Sequence, residues 1–199
     1  MTRRLDGGTR LIIATHNPGK LREMDDLLRP YALEAVSAGA LGLPEPAEDA
    51  PDFAGNARIK ALAATSTGIP ALADDSGFCV AALAGSPGVL SARWAGPSKD
   101  FDVAIQRVQR EMDAATDRRA WFISALCLAW PDGETATFVG RVGGTVATAH
   151  RGTLGFGYDP IFIPTGGSLT YGEIEPAKKH ASSHRAQAMA QLIAACFPR

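Results

Sequence analysis

The chain has 199 residues, 46% of them hydrophobic, and its 20 basic and 21 acidic residues give a formal net charge of -1. This length and composition predict one domain of two lobes around a sizeable core. The near-neutral charge excludes a uniform field that attracts duplex nucleic acid or a membrane surface, and no apolar run is long enough to cross a bilayer. We therefore expect a cytoplasmic globular protein, without nucleic-acid or membrane partners, that holds any anionic ligand through local groups.

The start of the chain predicts a strand, a tight turn and a helix. Residues 10 to 15 contain an apolar run that stops at a polar turn, which is typical of a buried strand. Asn17 is placed to cap a helix that has Pro18 in its first turn. A second strand is expected at residues 33 to 36, and residues 39 to 52 form a loop rich in proline and acid.

The middle of the chain alternates between helix and strand. Residues 53 to 67 predict a helix that Gly68 ends. Residues 71 to 73 predict a short buried strand that leads into the turn Asp74-Asp75-Ser76-Gly77, and residues 78 to 83 are again extended.

The remaining elements complete the predicted fold class. Ser98 is placed to cap a helix, and residues 120–130 and 134–146 flank a Pro-Asp-Gly turn as the two strands of a hairpin. A glycine-rich stretch covers residues 152–164, and one final helix is expected over residues 176–196. Because helices and strands interleave around a hairpin, the sequence predicts an α/β fold with a mixed sheet.

The turn from Thr15 to Lys20 is a candidate anion site. A helix N-terminus presents unpaired N–H groups and a partial positive charge, and a lysine in the first turn adds a full charge. The P-loop pattern GxxxxGK[ST] is absent, so the turn is not that motif. The alternative is an ordinary capped turn with a solvated lysine.

Asp74 and Asp75 form the second candidate site. Two adjacent acids at the end of a buried strand are unfavourable unless they bind a cation or a hydrogen-bond donor. Mg²⁺ suits the position, because it binds one or two carboxylates together with phosphate oxygens and water. The alternative is a polar turn in which an aspartate accepts from nearby backbone N–H groups.

Two later segments supply aromatic and basic groups. In GFGYDP, residues 155–160, the glycines allow a ligand to approach the backbone, and an aromatic ring can stack on a base; a tight turn is the alternative. The segment 178–186 predicts a basic helix start that meets phosphate or a base edge, or else a solvated charged face. His180 and His184 have the spacing of a zinc pair, but no third ligand is evident.

Taken together, four segments resemble the inosine triphosphate pyrophosphatase family in order and spacing over nearly the whole chain: residues 15–20, 73–96, 155–162 and 176–186. The resemblance implies an elongated mixed sheet flanked by helices, two lobes with a central nucleotide cleft, a single domain over residues 1–199, a homodimer and Mg²⁺ dependence. It also implies hydrolysis of ITP, dITP and XTP to the monophosphate and pyrophosphate, a housecleaning reaction that keeps these nucleotides out of DNA and RNA.

The resemblance also implies roles for individual residues. Asp75 would be the proton acceptor and, with Glu48, a magnesium ligand. The substrate-binding residues that it implies are Thr15, His16, Asn17, Pro18, Gly19, Lys20, Ser76, Phe156, Gly157, Tyr158, Asp159, Lys179, His184 and Arg185. The chain departs from the family's common FxENA pattern at Gly55, where an acid is missing. His180 and Ser182 replace the usual Asn and Ile, so neither receives a role.

These residue types are compatible with attack of water on the α-phosphorus, because a carboxylate can accept a proton while Mg²⁺ and Lys20 neutralise the leaving pyrophosphate. A donor such as His184 or Arg185 would favour the 6-keto group of inosine over the amine of adenine. Two rival interpretations are a septum-inhibitor type pyrophosphatase acting on dTTP, UTP or methylated nucleotides and a catalytically silent nucleotide-binding module.

Overall fold

A computed structural model describes residues 3–31 and 33–197 of the chain. The strands in this part are β1 (Arg10–Ile13), β2 (Glu34–Ser37), β3 (Ala71–Val80), β4 (Arg119–Ala129), β5 (Thr135–Val146) and β6 (Phe162–Pro164). They form one sheet in the order β2-β1-β3-β4-β5-β6. β1 is parallel to β2 and β3, whereas β5 is antiparallel to β6. The mixed sheet and its helices confirm the predicted α/β class.

The helices of the described residues are α1 (Pro18–Leu28), α2 (Phe53–Ala64), α3 (Ser91–Trp94), α4 (Phe101–Glu111), α5 (Pro176–Ser182) and α6 (His184–Cys196). The predicted cap of α1 is confirmed, since Asn17 Oδ1 accepts from the backbone N–H groups of Gly19 and Lys20. The predicted cap of α4 is wrong, because Asp100 rather than Ser98 accepts from a first-turn N–H group. Within the described residues, no helix is long and apolar enough to span a membrane.

The predicted turn at Asp74-Asp75-Ser76-Gly77 is wrong, because all four residues lie inside the ten-residue strand β3. Asp74 and Asp75 are only 1% and 6% exposed. Lysine side chains approach both carboxylates within 3.0 Å. Since the acids find cations inside the protein, the strand does not need to turn outward to hydrate them.

The single helix predicted over residues 176–196 is also wrong. The backbone of Ser183 is extended, with φ -70° and ψ 160°, and it separates α5 from α6. Its hydroxyl donates to the carbonyl oxygen of His180, a local bond of the kind that competes with helical pairing. His180 and His184 therefore do not share one helix face.

The chain forms two compact units, each with its own core. The first contains Met1–Asp75, Ser124–Gly140 and Arg185–Arg199, and the second contains Ser76–Ile123 and Arg141–His184. In the first unit, Leu11, Met24 and Leu192 belong to one apolar cluster, and a separate cluster joins the alanines of α2 to those of β3 and β4. The core of the second unit is rich in aromatic rings, which pack around Phe78 and Phe162.

Candidate functional site

The loop before α1 presents a lysine and a helix N-terminus. Asn17 N donates to Thr15 Oγ1 at 3.1 Å, and the Asn17 side chain then caps α1. The ring of His16 is exposed, and its Nε2 atom lies 3.2 Å from the carbonyl oxygen of Leu43. Because a carbonyl oxygen can only accept, Nε2 is the donor. Lys20, in the first turn of α1, extends its Nζ atom to within 2.8 Å of Asp74 Oδ2.

Asp74 lies at the centre of a buried network in the first unit. Its Oδ1 atom accepts from Ser124 Oγ at 2.5 Å, and its Oδ2 atom accepts from Lys20 and from Arg185 Nη2, the latter at 3.2 Å. Burial acts to raise the pKa of Asp74, but the charge and hydrogen bond of Lys20 and the hydroxyl of Ser124 hold that pKa below 3.8. Asp74 is therefore ionised at neutral pH and anchors these groups.

Asp75 has a different environment from its neighbour. Lys60 Nζ, on α2, lies 3.0 Å from Asp75 Oδ1 and 3.0 Å from Glu48 Oε1. Burial raises the pKa of Asp75 above 3.8, against the opposing charges of Lys60 and Lys20. The other oxygen, Asp75 Oδ2, is buried without a hydrogen-bond partner among the described residues. Such an oxygen is poised to accept a proton or to bind a cation.

The carboxylates of Glu48 and Asp75 also meet the requirements of a Mg²⁺ site. Glu48 and Asp75 both approach the ammonium of Lys60, so this position already holds one positive charge between two carboxylates. In residues 3–31 and 33–197, no group of three or more His, Cys, Asp and Glu side chains is arranged to hold a metal. Two carboxylates suffice for Mg²⁺ when phosphate oxygens and water complete its shell. The free oxygen of Asp75 adds to this fit.

In the second unit, the turn at Gly155 to Asp159 is closed by its own aspartate. Asp159 Oδ2 accepts from Phe156 N at 2.8 Å and from Lys179 Nζ at 2.6 Å. Gly155 has a φ of +76°, and a Cβ atom at this position would lie 2.1 Å from Asp159 Oδ2. Lys179 Nζ lies 4.9 Å from the centre of the Phe156 ring, which is 38% exposed. The turn therefore presents an aromatic ring supported by a buried ion pair.

Two other predicted binding residues of this unit have buried side chains. The Tyr158 hydroxyl donates to the carbonyl oxygen of Ser91 at 2.9 Å, and its ring stacks on Phe78. The His184 ring stacks on Phe122 with centroids 5.0 Å apart. Tyr158 thus anchors the turn to the core of its unit, and a ligand can reach its backbone more readily than its ring.

Residues 11–195 match the sequence profile of the Ham1 family. The chain belongs to the Ham1 family. It is 53% identical to a dITP/XTP pyrophosphatase of Gluconobacter oxydans, over 99% of this chain and 95% of the relative. It is 56% identical to a dITP/XTP pyrophosphatase of Caulobacter vibrioides, over 96% and 99%. These matches confirm the family predicted from the four motifs.

Solved Ham1 structures have the same fold. A HAM1 protein from Coxiella burnetii superposes with a TM-score of 0.86 at 39% identity, covering 92% of this chain and 96% of that one. The Ham1 protein of Staphylococcus aureus gives a TM-score of 0.84 at 33% identity, with coverage of 94% and 97%. The mixed α/β sheet is therefore shared with other members of the Ham1 family.

In this Ham1 chain, sequence reasoning missed Lys60 and Ser124. A signal for Lys60 was present, because it lies on the same face of α2 as the buried residues Ala57 and Ala64, three and four positions away. A lysine on a buried helix face requires an acidic partner. Ser124 offered no comparable signal, since it is one polar residue within the apolar strand β4.

The departure at Gly55 has a local explanation in this Ham1 chain. A Cβ atom on Gly55 would lie 2.6 Å from the Cβ of Ala50. The loop that carries Glu48 packs here, and Asn56 Oδ1 holds it by accepting from Ala50 N at 3.0 Å. The missing acid therefore coincides with a close approach of the loop to the start of α2.

Proposed function

We propose that this Ham1-family chain hydrolyses the non-canonical purine nucleoside triphosphates ITP, dITP and XTP to a nucleoside monophosphate and pyrophosphate. The observation that carries the proposal is the oxygen Oδ2 of Asp75, which lies beside two lysines and Glu48 and is buried without a hydrogen-bond partner in the part of the chain that the structure describes. The names of relatives that are 53% and 56% identical supply the substrate class. The reaction would remove these nucleotides before a polymerase incorporates them.

In the proposed mechanism, the loop before α1 binds the triphosphate through the N-terminal N–H groups of α1 and the ammonium of Lys20. Asp75 Oδ2 accepts a proton from a water molecule whose oxygen forms a bond to the α-phosphorus. The bond from that phosphorus to the bridging oxygen breaks, and pyrophosphate leaves with the electron pair. Lys20 and Lys60 stabilise the negative charge that develops on the phosphates.

We assign Asp75 and Glu48 as the ligands of Mg²⁺, which when bound neutralises phosphate oxygens and lowers the pKa of water. Lys60 holds the same two carboxylates and keeps them at one position. Its raised pKa, which the charges of Asp75 and Glu48 produce against the effect of burial, keeps Lys60 protonated at neutral pH. Lys60 therefore offsets the repulsion between the buried carboxylate of Asp75 and the partly buried carboxylate of Glu48.

Base selection is assigned to the second unit and to Arg185. The exposed ring of Phe156 is suited to stack on a purine, and Lys179 holds the turn that presents it. Donors from His184, from Arg185 or from the backbone of residues 157–159 would pair with a 6-keto oxygen. Adenine offers an amine at that position, so its binding would leave donors unpaired. Thr15, His16, Pro18 and Ser76 complete the proposed substrate contacts.

The assembly and location are also part of the proposal. We assign the protein to the cytoplasm as a homodimer in which residues 1–199 act as one domain. The family match over residues 11–195 supports the single domain, because it spans both compact units without interruption.

A substrate panel tests the proposal. Purified protein is incubated with ITP, dITP, XTP, GTP, ATP or dTTP, with Mg²⁺ or with a chelator, and phosphate is measured with and without inorganic pyrophosphatase. We expect Mg²⁺-dependent release from ITP, dITP and XTP that requires the coupling enzyme. Comparable turnover of ATP would contradict the substrate class, and orthophosphate without the coupling enzyme would contradict cleavage between the α- and β-phosphates. Preferential turnover of dTTP would favour the septum-inhibitor type.

A further inference from the structure

One carboxylate oxygen in the first unit contacts two cations from distant parts of the sequence. Asp74 Oδ2 lies 2.8 Å from Lys20 Nζ and 3.2 Å from Arg185 Nη2. Lys20 belongs to the first turn of α1, whereas Arg185 is the second residue of α6. In the proposed function, Lys20 binds the triphosphate and Arg185 contributes to recognition of the base. The shared oxygen of Asp74 therefore connects the residues that bind the two ends of the substrate.

The second oxygen of the same carboxylate is also fixed. Ser124 Oγ, on β4, donates to Asp74 Oδ1 at 2.5 Å, and Ser124 is fully buried. Hydrogen bonds on both oxygens prevent the carboxylate from rotating about its own axis. Asp74 is therefore a rigid acceptor, held by β3 on the main-chain side and by β4 through the serine.

The contact with Asp74 does not by itself use every donor of the two cations. An ammonium and a guanidinium each carry more N–H groups than a single carboxylate oxygen can accept. The contact with Asp74 directs one donor inward and so orients the remaining donors. The negative charge also offsets the repulsion between two like charges that meet at one oxygen.

We propose that Asp74 is a positioning residue that fixes Lys20 and Arg185 relative to each other, so that the triphosphate and the purine base are recognised together. This inference rests on the proposed function. Asp74 does not touch the reacting atoms in this scheme, and its neighbour Asp75 remains the proton acceptor. The expected consequence of losing the charge of Asp74 is weaker binding at both ends of the substrate.

The variant Asp74→Asn tests the inference, because it keeps the shape of the side chain and removes its charge. Dissociation constants are measured by calorimetry for inorganic tripolyphosphate, IMP and ITP. We expect each ligand to bind at least about tenfold more weakly, which is the scale of one charge-assisted hydrogen bond. The partly exposed residue Asp117, which pairs with Arg119, gives the matched control Asp117→Asn, and this variant should bind as the wild type does.

A double-mutant cycle separates positioning from a purely structural role. Lys20→Ala is made in the wild type and in Asp74→Asn, and the loss of ITP affinity is compared. If Asp74 orients Lys20, the lysine contributes less to ITP binding in the Asp74→Asn background. Lys20→Ala should then reduce the ITP affinity less in Asp74→Asn than in the wild type. Equal losses, or a weakening of only one of tripolyphosphate and IMP, would overturn the inference.

A second variant decides the matter if Asp74→Asn does not fold. Ser124→Ala keeps the charge of Asp74 and removes only the bond that fixes its Oδ1 atom, so binding of each ligand should weaken by about two- to fivefold. Unchanged dissociation constants in folded Ser124→Ala would overturn the inference. A wild-type protein that neither binds nor hydrolyses ITP would instead contradict the proposed function, so the two failures are distinguishable.

Discussion

Adjacent aspartates of one strand have pKa values shifted in opposite directions. Burial acts to raise the pKa of both side chains. In Asp74 this effect is outweighed, because its carboxylate contacts the ammonium of Lys20, the hydroxyl of Ser124 and the guanidinium of Arg185. The carboxylate of Asp75 accepts a hydrogen bond from the ammonium of Lys60, and the nearby charge of Glu48 opposes the ionisation of Asp75. In the proposed mechanism, the two neighbouring acids have different tasks, Asp74 as a fixed charge and Asp75 as the group that accepts a proton.

At the residue scale, Asp75→Asn should separate turnover from binding. Because the amide cannot accept the proton of water, kcat for ITP should fall about 10²- to 10⁴-fold. Measured with the metal chelated, so that the proposed Mg²⁺ contact of Asp75 plays no part, the dissociation constant for ITP should change little, in contrast to Asp74→Asn. Pyrophosphate release under single-turnover conditions and calorimetric binding provide the two readouts. Substantial turnover in Asp75→Asn would rule out this carboxylate as the base.

If Asp75 and Glu48 bind a metal ion as proposed, Lys60 competes with that ion for the same two carboxylates. In Lys60→Gln, the positive charge is lost, so Mn²⁺ used as a probe for Mg²⁺ should bind roughly tenfold more tightly in the absence of nucleotide. Electron paramagnetic resonance of free Mn²⁺ measures this affinity without any turnover. The exposed Lys178 gives the control Lys178→Gln, which should leave the affinity unchanged. Weaker Mn²⁺ binding in Lys60→Gln would show that the lysine supports the metal site instead.

At the element scale, α1 and α4 begin in the same way, yet only α1 is assigned to the site. Asn17 caps α1 through two backbone N–H groups, and Asp100 caps α4 through that of Asp102. The capping oxygen fixes the direction in which the first turn presents its remaining donors. In α1, those donors face the proposed triphosphate.

Asn17→Ala and Asp100→Ala form a matched pair. Each variant should lose about 1 kcal/mol of unfolding free energy, because each first turn loses its side-chain acceptor. Only Asn17→Ala should raise the KM for ITP. Urea denaturation and steady-state kinetics give the two values. An equal rise of KM in both variants would indicate a general effect of stability and remove the assigned role of α1.

At the scale of the whole molecule, one buried aspartate in each unit contributes to the stability of the folded state, and the two contributions change with pH in opposite directions. The pKa of Asp74 in the first unit lies below 3.8, whereas burial raises that of Asp159 in the second unit above 3.8 despite the charge of Lys179. Ionised Asp74 therefore favours the folded state at neutral pH. Protonation of Asp159 favours the folded state as the pH falls.

Urea denaturation in a chelator-containing buffer between pH 7 and pH 3 tests these signs. The stability advantage of the wild type over Asp74→Asn should shrink below pH 3.8, because the contribution of Asp74 is lost as the pH falls through its folded-state pKa. The advantage of the wild type over Asp159→Asn should grow as the pH falls toward the raised pKa of Asp159. The same trend in both comparisons would contradict the assigned shifts.

The features that the sequence determined by itself are local. The cap at Asn17, the helix after it and the hairpin of β4 and β5 depend on neighbouring residues, and they were predicted close to their observed bounds. The α/β class and the family follow from the order of such segments and motifs. Local turn chemistry and apolar periodicity are sufficient for these predictions.

Other features depended on residues that are far apart in the chain. Asp74 and Asp75 remain in a strand because Lys20, Lys60 and Ser124 neutralise or bond them inside the first unit. Asp74, one partner of Arg185, is 111 positions away in the sequence. No local pattern records such pairings, because the stability of a buried charge is set by whatever the fold brings beside it.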